Sequence, residues 1–512
     1  MSREYLVISL LAPAAVAVWL GACSSSSGGT PAPPGGSDAG GEVDSGPTPS
    51  VSGTSEPAGV TVAGPKTVTY LKQGGSVEVE VTVGRSGPTG AISVTVTGLP
   101  AKVVATTETI PFGSSTARIK LVAEADAAQI VAKPKLVATP VGAKGQADFA
   151  FDLTVRGAPG TVDTTFGTGG RVPFGTTAGA RGVAVTKDGK ILAWGNDGSE
   201  PTLARYLPDG TLDATFGDAG TYKRKNVGGP LPTLYEAAGE LADGRVMLLT
   251  TRGNPSARAV LTRLSKDGAY DSTYGEQVLA ATPGVGTAIR REAGGRLAVQ
   301  YTSSAAMYTR LLEIDGIPGT ATQIQCGDDL SGGVSALSSA TEGLCFTGAG
   351  AVERRTLATD ATSAASGDLG LEVNPDPYYP GRFVIEAGGR VFAGGGSAPV
   401  KLVALKASDL SVDATFGTNG SVSLFQGRTG LAAAAGGAVL VGGETGTAIV
   451  VARVLASGAL DPDFGAAGVA TLPTDGQTNL RLRGLSTMAD GRVVVTLVSI
   501  DASASRLMRL WQ

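Results

Sequence analysis

The chain contains no histidine. This removes the Ser-His-Asp and Cys-His nucleophile systems, His-ligated zinc and copper, and the commonest general base near neutral pH. Cysteine is nearly as scarce, at three residues in 512, too few for a thiolate cluster. Charged residues are 17% of the chain and almost balance at a net of -4. The electrostatic footprint of a nucleic-acid binder is therefore missing, and no nucleic-acid partner is expected. The N-terminal apolar run, Tyr5 to Leu20, includes Pro13 and is short for a hydrocarbon slab about 30 Å thick. The chemistry left is that of carboxylates and oxygen-ligated calcium. No convergent set of carboxylates is visible, so neither a metal nor a cofactor is expected.

What the sequence does have is a repeat. The element D-x-[TD]-[FY]-G reads Asp163-Thr164-Thr165-Phe166-Gly167, Asp213 to Gly217, Asp271 to Gly275, Asp413 to Gly417 and Asp461 to Gly465. Its aromatics lie 50, 58, 142 and 48 residues apart, and the long gap is close to three units of about 47. Candidate turn glycines at Gly189, Gly244, Gly295, Gly343, Gly389, Gly437 and Gly491 recur every 46 to 55 residues. They bring the count to seven, with D-x-T-F-G expected to be lost in the copies carrying Gly343 and Gly389.

Around these glycines apolar and polar residues alternate, as in Gly182-Val183-Ala184-Val185-Thr186 before Asp188-Gly189 and Ile191-Leu192-Ala193-Trp194 after it. Asp-Gly and Gly-Gly between such runs read as tight hairpins. A third run follows, Leu203-Ala204-Arg205-Tyr206-Leu207 in the first copy, and leads through Pro208-Asp209-Gly210 into D-x-T-F-G as a fourth strand. Four antiparallel strands repeated at this period predict an all-β, seven-bladed β-propeller over 159–512. The lone Val162 to Pro173 segment is expected to complete the last blade, because an unclosed ring would leave two unpaired edges. The repeated Asp reads as a turn acceptor, since calcium would need several oxygen ligands per ion where the repeat supplies one carboxylate. The L-x-x-x-G-x-[LV]-D-x-T-F-G phrase resembles the delta-60 repeat family of bacterial secreted and surface proteins. The resemblance implies a propeller-like fold and carries no catalytic residue with it.

At the N-terminus Arg3 precedes the apolar run, which ends in Leu20-Gly21-Ala22-Cys23 followed by four serines. Small residues at the end of a short apolar core mark a cleavable signal, here 1–22. The segment resembles a bacterial lipobox, which implies that Cys23 is lipid-anchored and that the chain meets a membrane through acyl chains. Ser24 resembles outer-membrane sorting, on the periplasmic or the surface face of the envelope. Residues 23–58, rich in Ser, Gly and Pro, predict a disordered tether.

Residues 59–156 alternate with period two over Thr67 to Leu71, Ser76 to Val83, Ala91 to Val96, Lys102 to Thr106, Ala117 to Val122 and Phe149 to Val155. Short strands at this density predict a β-sandwich preceding the propeller, and Gly98-Leu99-Pro100 with Ile110-Pro111-Phe112-Gly113 resembles bacterial immunoglobulin-like modules.

Three residue groups stand out in the propeller. Asp376, Tyr378 and Tyr379, beside prolines, form a candidate ligand loop that contacts a glycan or peptide, or packs on the neighbouring blade. Cys326 and Cys345 fall on adjacent blades and are candidates for a disulfide. The single charges Asp197, Glu200, Arg252, Glu444 and Asp501 read as solvated loop tips. Together these features point to a monomeric cell-envelope protein whose propeller binds or scaffolds an envelope protein or glycan without catalysis. The alternative is a carboxylate-based propeller hydrolase or lyase acting on a polymer.

Overall fold

The computed structural model describes residues 59–512 except 87–89, 143, 176–177, 198–199, 224–233, 254–256, 280–282, 292–295, 304–305, 313–314, 327–335, 338, 340, 348–349, 358, 372–381, 397–398, 436–437, 447, 478–479 and 500–504. The signal 1–22, Cys23 and the tether 23–58 lie outside these residues. Every regular element described is a β-strand, as the alternating patterns require.

Residues 59–150 build two four-stranded sheets. In one, Ser76–Ser86 pairs with Gly59–Ala63 and Thr116–Ala123; in the other, Ile92–Thr97 pairs with Glu108–Ile110 and Lys135–Pro140. Alternation decides the faces. Val79, Val81 and Val83 are buried while Glu78, Glu80 and Thr82 between them are exposed, and the buried set shares one core with Ile92, Val94, Leu136 and Ala138 of the second sheet. A third, smaller sheet holds Thr69–Lys72 parallel to Leu153–Arg156. The single strand expected over Phe149 to Val155 is two strands, Ala147–Ala150 and Leu153–Arg156. The chain changes sheets at Phe151 and Asp152, where the Phe151 amide donates to Pro134 and the Asp152 carbonyl accepts from Thr69.

From Arg171 onward the described strands form seven four-stranded antiparallel sheets. Six are built from consecutive strands. The seventh takes Leu480–Thr487, Val493–Ser499 and Ser505–Leu510 from the far end of the chain and Arg171–Pro173 as its outer strand, with Arg171 opposite Met508 and Pro173 opposite Arg506. The core between the last and first sheets mixes residues from both chain ends, Phe166, Val172 and Phe174 with Val494 and Leu507 and with Val183, Ile191 and Ala193.

The structure leaves the count of seven unchanged and corrects the reading of two copies. Gly343 is not a turn residue: it lies inside Glu342–Phe346, opposite Arg355 and Leu337. The sheet containing Gly389 ends in Asp413 to Gly417 and so keeps its D-x-T-F-G element. The copies that lost it are the sheet ending in Pro318–Gln325 and the one ending in Thr362–Asp368.

Candidate functional site

The D-x-T-F-G elements lie where each sheet meets the next, and their parts divide the work. The Asp Oδ1 accepts both the backbone N-H and the hydroxyl of the Thr two residues on, at 3.0 and 2.5 Å in Asp163 and at 3.1 and 2.6 Å in Asp213 and Asp413. This closes the turn. The aromatic is buried: Phe166, Phe216, Phe416 and Phe464 have no exposed surface. The Gly that follows turns into the left-handed region, with φ of 55° to 66° in all five copies. In four of them its N-H donates to a carbonyl of the adjoining unit's turn, Gly167 to Asp209, Gly217 to Asp267, Gly417 to Ser457 and Gly465 to Pro159, at 2.7 to 2.9 Å, whereas Gly275 donates to Asp271 of its own turn.

The residue receiving this contact is followed by a second glycine with positive φ, and here the approach is backbone on backbone. A methyl group added to Gly268 would stand 2.6 Å from the Gly217 nitrogen. At the equivalent place Leu410 adopts φ 59° and is fully buried. The sheet before it has no D-x-T-F-G turn to make room for, and Leu410 packs with Leu344, Phe346, Val352 and Leu371 instead.

The second Asp oxygen reveals a partner that the repeat analysis missed, an arginine eight residues earlier on the third strand. Arg205 Nε donates to Asp213 Oδ2 at 2.8 Å, Arg263 to Asp271 at 2.7 Å, Arg453 Nη1 to Asp461 at 2.5 Å, and Arg509 to Asp163 at 2.7 Å across the ring closure. In the fifth sheet that position is Leu405, and Arg390 from the neighbouring strand takes over at 2.7 Å from Asp413. The same guanidinium groups lie over the aromatic rings, Arg205 at 4.4 Å from the Phe216 centroid and Arg509 at 4.7 Å from Phe166. They also donate to carbonyls of the next unit: Arg205 to Lys266, Arg263 to Asp315, Arg390 to Ala456 and Arg509 to Pro208. The signal was present in the sequence as a constant spacing between Arg and Asp.

Asp213, Asp271 and Asp413 are held ionised. The Thr273 hydroxyl, with Arg263, brings Asp271 down to about 2, and the Thr415 hydroxyl lowers Asp413. Burial alone would raise Asp213, but Thr215, Lys190 and Arg205 outweigh it and hold the carboxyl well below the usual range. A carboxylate ionised this far down, with both oxygens bonded, suits neither a general acid nor an open ligand position.

The remaining expected residues fall as follows. Asp376, Tyr378, Tyr379 and Asp501 lie outside the described residues, as does Cys23. The sulfurs of Cys326 and Cys345 are joined, with Cα atoms 5.1 Å apart, in a small core with Ala298, Leu311, Ile324 and Leu357. Two of the charges read as solvated tips are paired instead. Arg252 bridges to Glu276, and Glu444 is buried, accepting from Arg481 Nη1 at 2.6 Å and from the Leu482 amide. Among the described residues no group of three acidic or thiol side chains is arranged to hold a metal.

With this geometry in view, the likenesses to known proteins fall into place. A family model described as "Domain of unknown function (DUF5122) beta-propeller" matches residues 186–216, the stretch from the first hairpin to the Phe216 turn. Residues 186–216 thus resemble one stretch of a β-propeller repeat. Among solved structures it is similar to the C-terminal WD40 domain of Sif2, at 10% identity and a TM-score of 0.40, covering 66% of this chain and 98% of that one. The WD40 propeller domain of Doa1 gives 11% and 0.42, covering 66% and 95%. BamB from Moraxella catarrhalis gives 13% and 0.37, covering 66% and 98%. No curated protein matches the chain.

Proposed function

We propose that this is a lipid-anchored cell-envelope protein, acylated at Cys23, carried on a flexible tether, with an immunoglobulin-like sandwich and a seven-bladed propeller that serves as a non-catalytic binding or scaffolding module. The observation that carries the reading is the engagement of the repeated carboxylates. Each closes a turn and pairs with an arginine, and four of those arginines also bond a carbonyl of the next unit, so the most regular chemistry of the chain goes into holding the ring as a frame. The seven four-stranded sheets support the blade count, and the shared core of the two N-terminal sheets supports the sandwich. A rigid ring with variable loops is the arrangement on which binding surfaces are built.

The ligand loop is proposed at Asp376, Tyr378 and Tyr379, whose aromatics suit a glycan or an envelope protein. Immobilised protein from Glu56 onward, exposed to fractionated envelope glycans and proteins, should retain a component saturably, and Tyr378→Ala with Tyr379→Ala should weaken retention at least tenfold. Turnover of a polymer without retention would sink the binding reading. The anchor is tested separately: Cys23→Ser should abolish partition into detergent, and unchanged partition would rule out acylation at that residue.

A further inference from the structure

We infer that the end of the sandwich from which the tether emerges rests on the bilayer surface, with Phe112 and Val141 entering its interfacial layer; this rests on the proposed acylation of Cys23. Gly59, the first described residue, pairs with Ser86. Beside it the Arg85 guanidinium donates to three carbonyls of one turn, Ile110 and Pro111 at 3.1 Å each and Ser114. That turn carries Phe112, which is 75% exposed, and reverses at Gly113 with φ 90°. An aromatic ring is thus held outward on a backbone already fixed by its brace, which lowers the ordering cost of any contact it makes.

Val141 stands at the same end. Ile92 pairs on one side with Ile110 and on the other with Pro140, so the turns beyond those partners flank the same strand. The Val141 amide bonds to Ala91, and its side chain is 58% exposed. Residues 59–62, 84–86, 90–92, 110–116, 139–142 and 144–147, the described residues at this end, contain Arg85 and Lys144 and no carboxylate. Apolar tips with cations behind them suit a phosphate headgroup layer over acyl chains.

The tether decides the occupant. Thirty-five residues separate Cys23 from Gly59, and a flexible chain of that length spans about 30 Å on average. It keeps this end within an effective millimolar concentration of the surface. A contact of two side chains, too weak to recruit a free protein, then orients a tethered one. Gln129, which accepts from Thr164 and Trp511, and Arg156, which donates to the Gln512 carbonyl, lie at the opposite end of the sandwich, where the Arg156 carbonyl accepts from Gln73, so the contact would present the propeller away from the lipid.

The full-length lipidated protein, reconstituted in phosphatidylethanolamine/phosphatidylglycerol vesicles with brominated acyl chains, tests the idea. With Cys326 and Cys345 bridged and Cys23 acylated, a thiol introduced as Phe112→Cys takes a polarity-sensitive fluorophore alone, and Val131→Cys at the propeller end serves as control. The expected result is blue-shifted emission at 112 with bromine quenching several-fold stronger than at 131, reproduced with Val141→Cys. Equal, water-like signals at 112, 141 and 131 in protein that floats with the vesicles would overturn the contact and leave the anchor standing. Protein that does not float would overturn both.

Discussion

The ring closes on one buried ion pair, and removing half of it gives the sharpest test of how the sheets are joined. Arg509 and Asp163 have side chains 2% and 0% exposed, and their 2.7 Å contact spans 346 residues of sequence. Arg509→Met leaves the Asp163 carboxylate buried without its main partner, a change that costs about 3–5 kcal/mol in comparable sites. Arg492 Nη1 stays 3.1 Å from the same oxygen, which places the expected loss near the lower end, about 3 kcal/mol. Asp163→Asn keeps the Oδ1 acceptor of the turn and removes the charge, for about 2 kcal/mol. Because both changes break one contact, the double variant should lose less than the sum. Urea titrations followed by tryptophan fluorescence read these values as midpoint shifts at constant slope. The exposed Lys135–Asp148 pair, with side chains 55% and 46% exposed, is the control, and Lys135→Met should cost under about 1 kcal/mol. If Arg509→Met costs no more than that control, the pair does not hold the closure.

Gly268→Ala puts a methyl group against the Gly217 nitrogen at a positive φ and should destabilise the protein by at least about 2 kcal/mol in the same titration. Gly388→Ala, with φ 58° and open space around it, should cost no more than about 1–2 kcal/mol. Acid should weaken the fold through Asp271. Its carboxyl is lowered to about 2 in the folded chain, so the stability it contributes is complete above about pH 4 and disappears as pH falls toward 2. Asp271→Asn should flatten that part of a melting-temperature profile. Reducing the disulfide between Cys326 and Cys345 removes a crosslink over 19 residues and should cost about 3 kcal/mol. A melting temperature unchanged by reductant under conditions where both thiols alkylate would refute this.

The all-β class, the propeller and the place of its repeating turn were legible because hairpin chemistry is local: a Gly with positive φ between alternating runs announces itself. The arginine partner was not, because one cation on an apolar strand looks like its solvent side. Only the constant distance of eight residues from Arg205, Arg263 and Arg453 to Asp213, Asp271 and Asp461 betrays that it turns inward. Gly343 was misplaced for the opposite reason, since a Gly within a strand is locally indistinguishable from one at its turn. Glu108–Ile110 and Ile130–Ala132, too short to show a period, were missed, as were Gly59–Ala63 and Lys135–Pro140.

The short link from sandwich to propeller is also part of the propeller's last sheet. Gln129 of the sandwich accepts from the Thr164 amide and from the Trp511 indole, both at 2.8 Å, while Gly160 donates to the Trp511 carbonyl. The two contacts with Trp511 cannot form until that residue has been made. At synthesis rates of 5–20 residues per second, Asp163 waits roughly 20–70 s for Arg509, and Phe166, Val172 and Phe174 wait with it, without the last sheet to cover them. Closure thus cannot precede synthesis of the strands from Leu480 to Leu510. The same event that shuts the ring fixes the sandwich upon it, so a nascent or truncated chain presents an unlatched edge that a holding chaperone, or another copy of the chain, is free to occupy.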